Sequence, residues 1–298
     1  MSSDSALPGR DALDNACRAY GLTPGNAQLL HRRSNAVWLV GDVVVRLAPD
    51  TPARRARATT SIDITRWLDA VTDEPIALTP MPGPQPVLIT DAVATFWPYR
   101  PYPHQPRTAD IAHLIRSLHA VKQQPSFQIP EYRPLRRLGE ALDLDAARSE
   151  PVLHREDRNW LRERANELIA AYESTVFPLG RGLVHADAHT ENAVHDRRGW
   201  VLIDWDNACL GPRELDLVGC LPDHFHTPPD ERAEFVTAYG LDLLDWPGWT
   251  LLRDLTEYHS LGSYIRLAAT TPAAAAELDR RVHSLRVGDR TTVWRAIA

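Results

Sequence analysis

The sequence predicts an α+β protein of two lobes, in which a small strand-rich part precedes a larger, mostly helical part. Three observations lead to this prediction. Short runs of β-branched residues fill the first third of the 298-residue chain, a proline-dense stretch follows from Pro98 to Pro106, and amphipathic helical periodicity dominates beyond it. We therefore expect one lobe over residues 1–97 and another over residues 98–298.

Strand and turn signals alternate through the first lobe. Strands are predicted at residues 27–31, 36–40, 43–47, 87–90 and 93–97. The dipeptide Gly41-Asp42 between the second and third strands is a two-residue hairpin signal. Alternation along the third strand places Arg46 on the face opposite to Val43 and Val45. This arginine is therefore predicted to face away from the apolar side of the sheet.

Helical periodicity predicts the remaining elements. Helices are expected at about residues 52–71, 108–121, 137–148, 153–175, 230–239, 249–268 and 272–285. Thr108, followed by Asp110, is predicted to cap the first helix of the second lobe. Two short β-like runs, at 182–185 and 200–204, interrupt the helical pattern.

Composition narrows the class of protein. No apolar run approaches the roughly 20 residues that cross a bilayer, and the N-terminal residues 1–8 lack the basic and apolar regions of a signal peptide. The three cysteines show no CxxC spacing, and the net charge of -6 includes no basic block. We expect a soluble cytoplasmic protein without a membrane or nucleic-acid partner. Because Lys122 is the only lysine, any fixed cation elsewhere in the chain must be arginine.

Two polar clusters follow the short β-like runs. The first is the segment from His185 to Asn192, and the second begins at Asp204. Phosphoryl transfer needs a carboxylate that orients the attacking hydroxyl and hard oxygen ligands for Mg²⁺. Asp187 suits the first role, and Asn192 with Asp204 suits the second. An alternative is a transition-metal site in which His185, Asp187 and His189 alternate along one strand, although no further His or Cys cluster completes it.

The order of these motifs resembles the aminoglycoside phosphotransferase family and its choline- and sugar-kinase relatives. That family reads His-Gly-Asp-x-His-x-x-Asn, then Ile-Asp-Trp, Gly-x-Pro and Asp-Leu. This chain has His-Ala-Asp-Ala-His-Thr-Glu-Asn from His185, Ile-Asp-Trp from Ile203, Gly211-Pro212 and Asp216-Leu217. The resemblance covers roughly residues 27–220 and implies a protein-kinase-like fold, with a nucleotide-binding lobe over 1–97 and a catalytic, acceptor-binding lobe over 98–298.

The resemblance also implies roles for individual residues of the second lobe. Asp187 is expected to be the catalytic base, and Asn192 and Asp204 are expected to bind Mg²⁺. His185 and Asp216 are expected to brace the catalytic loop without touching substrate.

The nucleotide contacts implied by the resemblance depart from the usual pattern. The backbone around Trp97 and Tyr99 is expected to receive the adenine. Arg46 stands where the family has a phosphate-anchoring lysine, and it keeps the positive charge. The phosphate loop lacks glycines, so Ser34 and Asn35 are expected to present backbone N–H groups there. The helix position that normally supplies a glutamate partner for the lysine is Ser61, with Asp63 two residues on.

The expected function is therefore the transfer of a phosphoryl group from ATP or GTP to a hydroxyl of a small molecule. The leading candidates for the acceptor are aminoglycoside-like antibiotics and amino sugars, followed by amino alcohols and plain sugars. A pseudokinase that only binds nucleotide is a different alternative, suggested by the missing helix glutamate. Weaker candidates for an acceptor pocket are Asp206, Asn207, Asp254, Glu257 and Tyr258.

Overall fold

A computed structural model describes residues 7–32, 34–101 and 104–297. Part of the segment used for the signal-peptide prediction, residues 1–6, lies outside the described residues. Arg33 of the predicted phosphate loop lies outside them too, as do Tyr102 and Pro103 of the proline-dense stretch. Among the described residues, no helix is both long and apolar enough to cross a bilayer.

The described residues form eight α-helices and nine strands. The helices are α1 (Arg10–Tyr20), α2 (Pro52–Val71), α3 (Thr108–Ala120), α4 (Arg136–Ala146), α5 (Arg155–Ser174), α6 (Pro229–Tyr239), α7 (Trp249–Leu267) and α8 (Pro272–Val287). The strands are β1 (Gln28–Arg32), β2 (Ala36–Val40), β3 (Val43–Pro49), β4 (Val87–Ile89), β5 (Ala92–Pro98), β6 (Arg181–Val184), β7 (Ala193–Asp196), β8 (Gly199–Leu202) and β9 (Cys209–Pro212). Short 3₁₀ helices connect several of them.

Most of these elements match the sequence-based predictions, and helix α2 has the predicted bounds. The exceptions are α1, β7 and β9, which were not predicted. Helix α1 buries only a small apolar face, formed by Leu13, Ala16 and Cys17. Because most of its other residues are polar, helical periodicity did not predict it. The cap prediction for α3 was wrong. The helix begins at Thr108, and Asp110 accepts a hydrogen bond from the backbone N–H of Arg107 at 2.8 Å.

Five strands form an antiparallel sheet in the order β1-β2-β3-β5-β4. Its central strand β3 alternates as predicted, with Val45 and Leu47 buried against α1 and the aromatic ring of Phe96. Arg46 lies on the opposite face, between Val37 of β2 and Thr95 of β5. The central place of β3 therefore holds the arginine between two paired strands.

The chain divides into two compact units. The first comprises Met1–Pro130 and Leu183–Leu210, and the second comprises Glu131–Gly182 and Gly211–Ala298. The segment with both polar clusters thus belongs to the same unit as the five-stranded sheet. The boundary between residues 97 and 98, which divides a nucleotide-binding lobe from a catalytic, acceptor-binding lobe, stays a prediction.

The first unit has a second core beneath the β7–β8 hairpin. Trp205 is buried among Leu68 of α2, Leu118 of α3 and Leu202 of β8, and its indole N–H donates to the Leu202 carbonyl at 3.1 Å. This packing places Asp204, the residue before the tryptophan, directly after β8.

The second unit consists mainly of the helices α4–α8. Helices α4 and α7 pack closely where Gly262 faces the backbone of Arg137, and a Cβ there would lie 2.9 Å from the arginine carbonyl oxygen. Glycine is therefore needed for this helix contact.

Candidate active site

His185 begins the catalytic loop and is fully buried. One ring nitrogen, Nε2, lies 2.9 Å from the Ile203 carbonyl oxygen, and the ring meets the Trp205 indole edge-on with centroids 4.7 Å apart. These contacts connect the loop to the second motif, and the bracing role stays a prediction. Among the described residues no group that includes His185 could hold a metal ion, so the transition-metal site considered above is not formed.

Ala186 occupies the position of the family's motif glycine and adopts a left-handed backbone conformation, with φ 60°. A residue with a Cβ carries strain in this region, which glycine avoids. The loop therefore keeps the turn that the glycine would provide, at the expense of local stability.

Asp187 lies next in the loop with its side chain 43% exposed. Asn207 donates a side-chain amide hydrogen bond to its Oδ2 at 3.1 Å, and His189 Nε2 lies 3.6 Å from its Oδ1. Within the described ranges of the chain, no arginine forms an ion pair with the Asp187 carboxylate. Asp187 is thus oriented by neighbours while its charge stays accessible.

Asn192 ends the loop, and its side-chain nitrogen is engaged on the protein. Nδ2 donates to the backbone carbonyl of Asp187 at 2.9 Å and lies 3.0 Å from His189 Nε2. Because the amide nitrogen is held in this way, the amide oxygen is the end available to a cation. The Asn192 carbonyl also accepts a hydrogen bond from the N–H of Ile203 at 2.9 Å, which joins the loop to the residue before Asp204.

Asp204 follows β8 in a left-handed backbone conformation, with φ 61° and ψ 56°. Its carboxylate is 38% exposed and accepts a hydrogen bond from Arg46 Nη2 at 2.9 Å. Burial alone would raise the pKa of this carboxyl. The charges of Arg46 and His185 and the hydrogen bond from Arg46 outweigh it, so the pKa lies below its usual range. Asp204 is therefore ionised at neutral pH.

The carboxylates that contact Arg46 lie in the segment after β8. Nη2 of Arg46 contacts Asp204 at 2.9 Å and Asp206 at 3.0 Å. The sequence left open whether Ser61 or Asp63 replaces the helix glutamate, and these two carboxylates lie on another element. Burial alone would lower the pKa of the guanidinium, but the two carboxylates raise it. The 3₁₀ turn Trp205–Asn207 brings Asp206 back to the arginine. Sequence reasoning named Asp206 only as a weak candidate for the acceptor pocket and missed its contact with Arg46, although the Asp-x-Asp spacing from Asp204 was a usable signal.

A cavity of about 430 Å³ in the first unit contains most of the predicted ligand-binding residues. Its lining includes Ser34, Asn35, Arg46, Trp97, Tyr99, Asn192 and Asp204. Asp187 is not among the described residues that line it. The cavity therefore brings together the residues predicted for the nucleotide and the metal, while their individual roles stay predictions.

The predicted phosphate-loop and adenine contacts differ in exposure. Asn35 is buried, and with its amide oriented to satisfy both ends, the oxygen lies 2.8 Å from Arg46 Nη2 and the nitrogen 3.1 Å from the Ser34 carbonyl. Ser34 is exposed. The backbone N–H of Tyr99 donates to the Asp42 carbonyl at 2.7 Å, so this N–H is already engaged within the protein.

The residues present fit a magnesium ion. Asp204 supplies a partly exposed carboxylate and Asn192 an amide oxygen, and both line the same cavity. Mg²⁺ prefers few protein oxygens together with water and phosphate oxygens, which matches this donor set. No group of three or more His, Cys, Asp or Glu side chains suited to a metal occurs within the part of the chain that the structure describes.

The two acids on α7 that were candidates for an acceptor pocket, Asp254 and Glu257, are ion-paired with arginines of the second unit. Asp254 contacts Arg164 at 3.3 Å and Arg290 at 2.9 Å, and Glu257 is bonded to Arg290. Burial raises the pKa of Tyr258 to about 12, which keeps its hydroxyl protonated. In this arrangement the carboxylates of Asp254 and Glu257 are engaged by arginines of the same unit.

Comparisons with known proteins bear on the fold and the family. No curated protein matches the sequence. Solved structures with a similar fold include an amicoumacin kinase in complex with AMP-PNP, Ca²⁺ and Ami, at TM-score 0.71 and 13% identity over 96% of this chain and 95% of that one. A choline/ethanolamine kinase family protein from Mesorhizobium loti has TM-score 0.66 and 14% identity over 93% of each chain. A spectinomycin phosphotransferase in complex with ADP and spectinomycin has TM-score 0.60 and 13% identity over 94% and 95%.

These likenesses confirm the α+β, protein-kinase-like fold with a strand-rich N-terminal region and a helical C-terminal part. The model of the phosphotransferase enzyme family matches residues 27–255, which extends past the motifs on both sides. The chain therefore belongs to the phosphotransferase enzyme family.

Proposed function

We propose that this protein is a Mg²⁺-dependent kinase that transfers the γ-phosphoryl group of ATP or GTP to a hydroxyl of a small molecule. One observation carries the proposal. A cation, Arg46, and two oxygen donors, Asn192 and Asp204, line one cavity, and Asn192 is hydrogen-bonded to the backbone of the exposed Asp187. This combination supplies the charges that phosphoryl transfer requires.

The nucleotide would lie in the 430 Å³ cavity. Its base would lie near Trp97 and Tyr99, and its phosphates would lie near Arg46 and the backbone N–H groups of Ser34 and Asn35. Asn192 and Asp204 would hold Mg²⁺, which supplies positive charge against the phosphate oxygens. A guanidinium can donate several hydrogen bonds, so Arg46 would bind phosphate while it remains bonded to Asp206.

Asp187 would bind the acceptor hydroxyl and accept its proton during attack. The Asn207 amide fixes one carboxylate oxygen, which leaves the other oxygen to orient the hydroxyl. Phosphoryl transfer involves little covalent chemistry by the protein, so positioning and electrostatics would supply most of the rate.

The leading acceptors are aminoglycoside-like antibiotics and amino sugars, and the enzyme would then confer antibiotic resistance in the cytoplasm. The structural neighbours solved with amicoumacin and spectinomycin support this order, and the choline/ethanolamine kinase relative supports amino alcohols as the second class. Plain sugars follow. Family specificity resides mainly in the last helices, here roughly residues 221–298, where Asp254 and Glu257 are already ion-paired.

The pseudokinase alternative was suggested by the missing helix glutamate. The carboxylate of Asp206 supplies that partner from another element. This contact favours an active enzyme over a module that only binds nucleotide.

The decisive experiment is a screen of nucleotide consumption with the full-length protein. ATP and GTP are each offered with Mg²⁺ against panels of aminoglycosides, amino sugars, amino alcohols and plain sugars, and products are identified by mass spectrometry. We expect at least one acceptor to gain a single phosphoryl group. Mg²⁺-dependent nucleotide binding without transfer to any panel would favour the binding module.

A further inference from the structure

One nitrogen of Arg46 has more hydrogen-bond acceptors around it than it has protons. Its Nη2 lies 2.9 Å from Asp204 Oδ1, 3.0 Å from Asp206 Oδ2 and 2.8 Å from the side-chain oxygen of Asn35. A terminal guanidinium nitrogen carries two N–H bonds, so three acceptors share two protons. The other terminal nitrogen, Nη1, has one longer contact among the described residues, with Asp206 Oδ1 at 3.5 Å. Nη2 therefore has one acceptor in surplus.

The orientation of the Asn35 amide follows from its neighbours. With its oxygen toward Arg46 Nη2, the amide nitrogen donates to the Ser34 carbonyl at 3.1 Å, so both ends are satisfied. The opposite orientation gives the oxygen a longer contact with Arg54 Nη1, at 3.4 Å. It also places the amide nitrogen 2.8 Å from Arg46 Nη2, a donor facing a charged donor. The first orientation is therefore favoured, and Asn35 is an acceptor for Arg46.

The strands keep Asn35 beside Arg46. The residue is 6% exposed and directly precedes β2, whose first residue, Ala36, pairs with Leu47 of β3. Arg46 is the neighbour of Leu47 in β3, so the register of two paired strands brings the amide and the guanidinium together. The contact thus depends on the sheet, while the adjacent Ser34 is exposed.

The surplus acceptor bears on Asp204, which is also the proposed metal ligand. Arg46 and Mg²⁺ attract the same carboxylate, so weaker attraction by the arginine leaves more of its charge to the metal. If Asp204 turns toward a cation, Asp206 and Asn35 remain, one acceptor for each proton on Nη2. The arginine then keeps its hydrogen bonds, and no charged donor is left unpaired in a mostly buried place.

We propose that Asn35 is a positioning residue. Its side-chain oxygen holds the Arg46 guanidinium and thereby weakens the attraction of Arg46 for Asp204, which leaves that carboxylate available to the metal. The effect on Mg²⁺ rests on the proposed function. The sequence predicted only a backbone role for Asn35, in the phosphate loop, whereas this role belongs to the side chain.

The first test measures how much Mg²⁺ supports half-maximal binding of a non-hydrolysable ATP or GTP analogue to the full-length protein, by tryptophan fluorescence. Asn35→Leu removes the acceptor at similar volume and should raise this concentration roughly three- to fivefold. Asn35→Asp keeps an oxygen beside Nη2 and should leave the concentration at or below the wild-type value. Asn26→Leu makes the same change at an exposed position of the first unit and is the control.

The two Asn35 variants distinguish positioning from disruption of the loop. Disruption would raise the Mg²⁺ requirement in both variants, and that result would overturn the proposal. An unchanged requirement in Asn35→Leu would also overturn it, because Asp204 would then serve Arg46 and the metal together. Thermal denaturation checks that each variant is folded, and Asn35→Ala replaces Asn35→Leu if the leucine is not tolerated.

A measurement on the ligand-free protein separates this proposal from the proposed function. Rotation of the Arg46 guanidinium about its Nε–Cζ bond is followed by ¹⁵N exchange NMR, with Arg46→Lys to identify the signal. Rotation should be slow in the wild type and in Asn35→Asp, and roughly three- to fivefold faster in Asn35→Leu. Equal rotation rates in the wild type and Asn35→Leu would refute the positioning role. Faster rotation in Asn35→Leu, in a protein that binds no nucleotide with Mg²⁺, would support that role and refute the proposed function alone.

Discussion

The carboxylates of the two units differ in what surrounds them. In the first unit, Asp187 and Asp204 are 43% and 38% exposed, and Asp187 has an amide donor on one of its oxygens. In the second unit, Asp145 is fully buried and bonded to Arg148 and Arg158 at 3.3 and 3.1 Å. An acid is therefore accessible to a ligand where part of its carboxylate stays exposed, as in Asp204 beside Arg46, and not where the fold encloses it, as in Asp145.

The physical cause of this difference is the free energy of burying charge. A buried carboxylate persists only when cations and hydrogen-bond donors compensate its lost hydration, and it then serves the fold. A partly exposed carboxylate keeps its charge in water and can engage a ligand. The same residue type is thus accessible to a ligand in one unit and enclosed by its partners in the other.

The largest expected effect concerns Asp187. Asp187→Ala should lower the rate of transfer by roughly 10²–10⁴, because the acceptor hydroxyl loses its proton acceptor and its orientation. Nucleotide affinity, measured by calorimetry, should stay within about twofold of the wild type, since Asp187 does not line the described nucleotide cavity. Asp69→Asn, at an exposed position of α2, is the charge control. Full turnover in Asp187→Ala would refute the assignment of the base.

The second effect concerns stability of the other unit. Asp145→Ala should lower the free energy of unfolding by about 3–5 kcal/mol, because two arginines and the N–H groups of Val152 and Leu153 lose their acceptor. Urea denaturation measures this loss. Asp143→Ala is the matched control on the same helix, since Asp143 is 72% exposed and its ion pair with Arg162 contributes at most about 1 kcal/mol. Equal losses in the two variants would refute the distinction between the two classes of acid.

A smaller effect is expected at the partner of Arg46. Asp206→Asn leaves Asp204 as the remaining carboxylate partner of Arg46 among the described contacts, which should draw that carboxylate away from the metal. The Mg²⁺ concentration that supports half-maximal nucleotide binding should rise roughly three- to tenfold, measured by tryptophan fluorescence. Asp63→Asn, on the helix where the sequence placed the partner, should leave it unchanged. A larger rise in this Mg²⁺ concentration for Asp63→Asn than for Asp206→Asn would show that the partner of Arg46 lies on α2.

The smallest effect concerns the strained loop residue. Ala186→Gly should raise the free energy of unfolding by roughly 0.5–1 kcal/mol, because relief of the left-handed conformation exceeds the added chain entropy. Ala188→Gly lies in the same loop without a positive φ, so it should destabilise by a similar amount. Thermal denaturation distinguishes the two signs. A loss of stability in Ala186→Gly would show that the turn carries no strain.

Much of the fold was predictable because local patterns determined it. The five strands of the sheet and helix α2 follow from alternation, a hairpin dipeptide and helical periodicity. Helix α1 escaped prediction because its buried face is small and its sequence is polar, so its position depends on the sheet it covers. The cap of α3 was misplaced by one residue, because the backbone of Arg107 makes the capping contact with Asp110.

The sequence by itself determined the ordered motifs around Asp187, Asn192 and Asp204, and with them the family, because their spacing is set by the chemistry they serve. Only the tertiary structure decided which charges meet. Arg46 and Asp206 are 160 positions apart, and their contact depends on how the turn after β8 packs beside β3. Long-range pairing of this kind has no local signature, since it arises from the packing of separate elements.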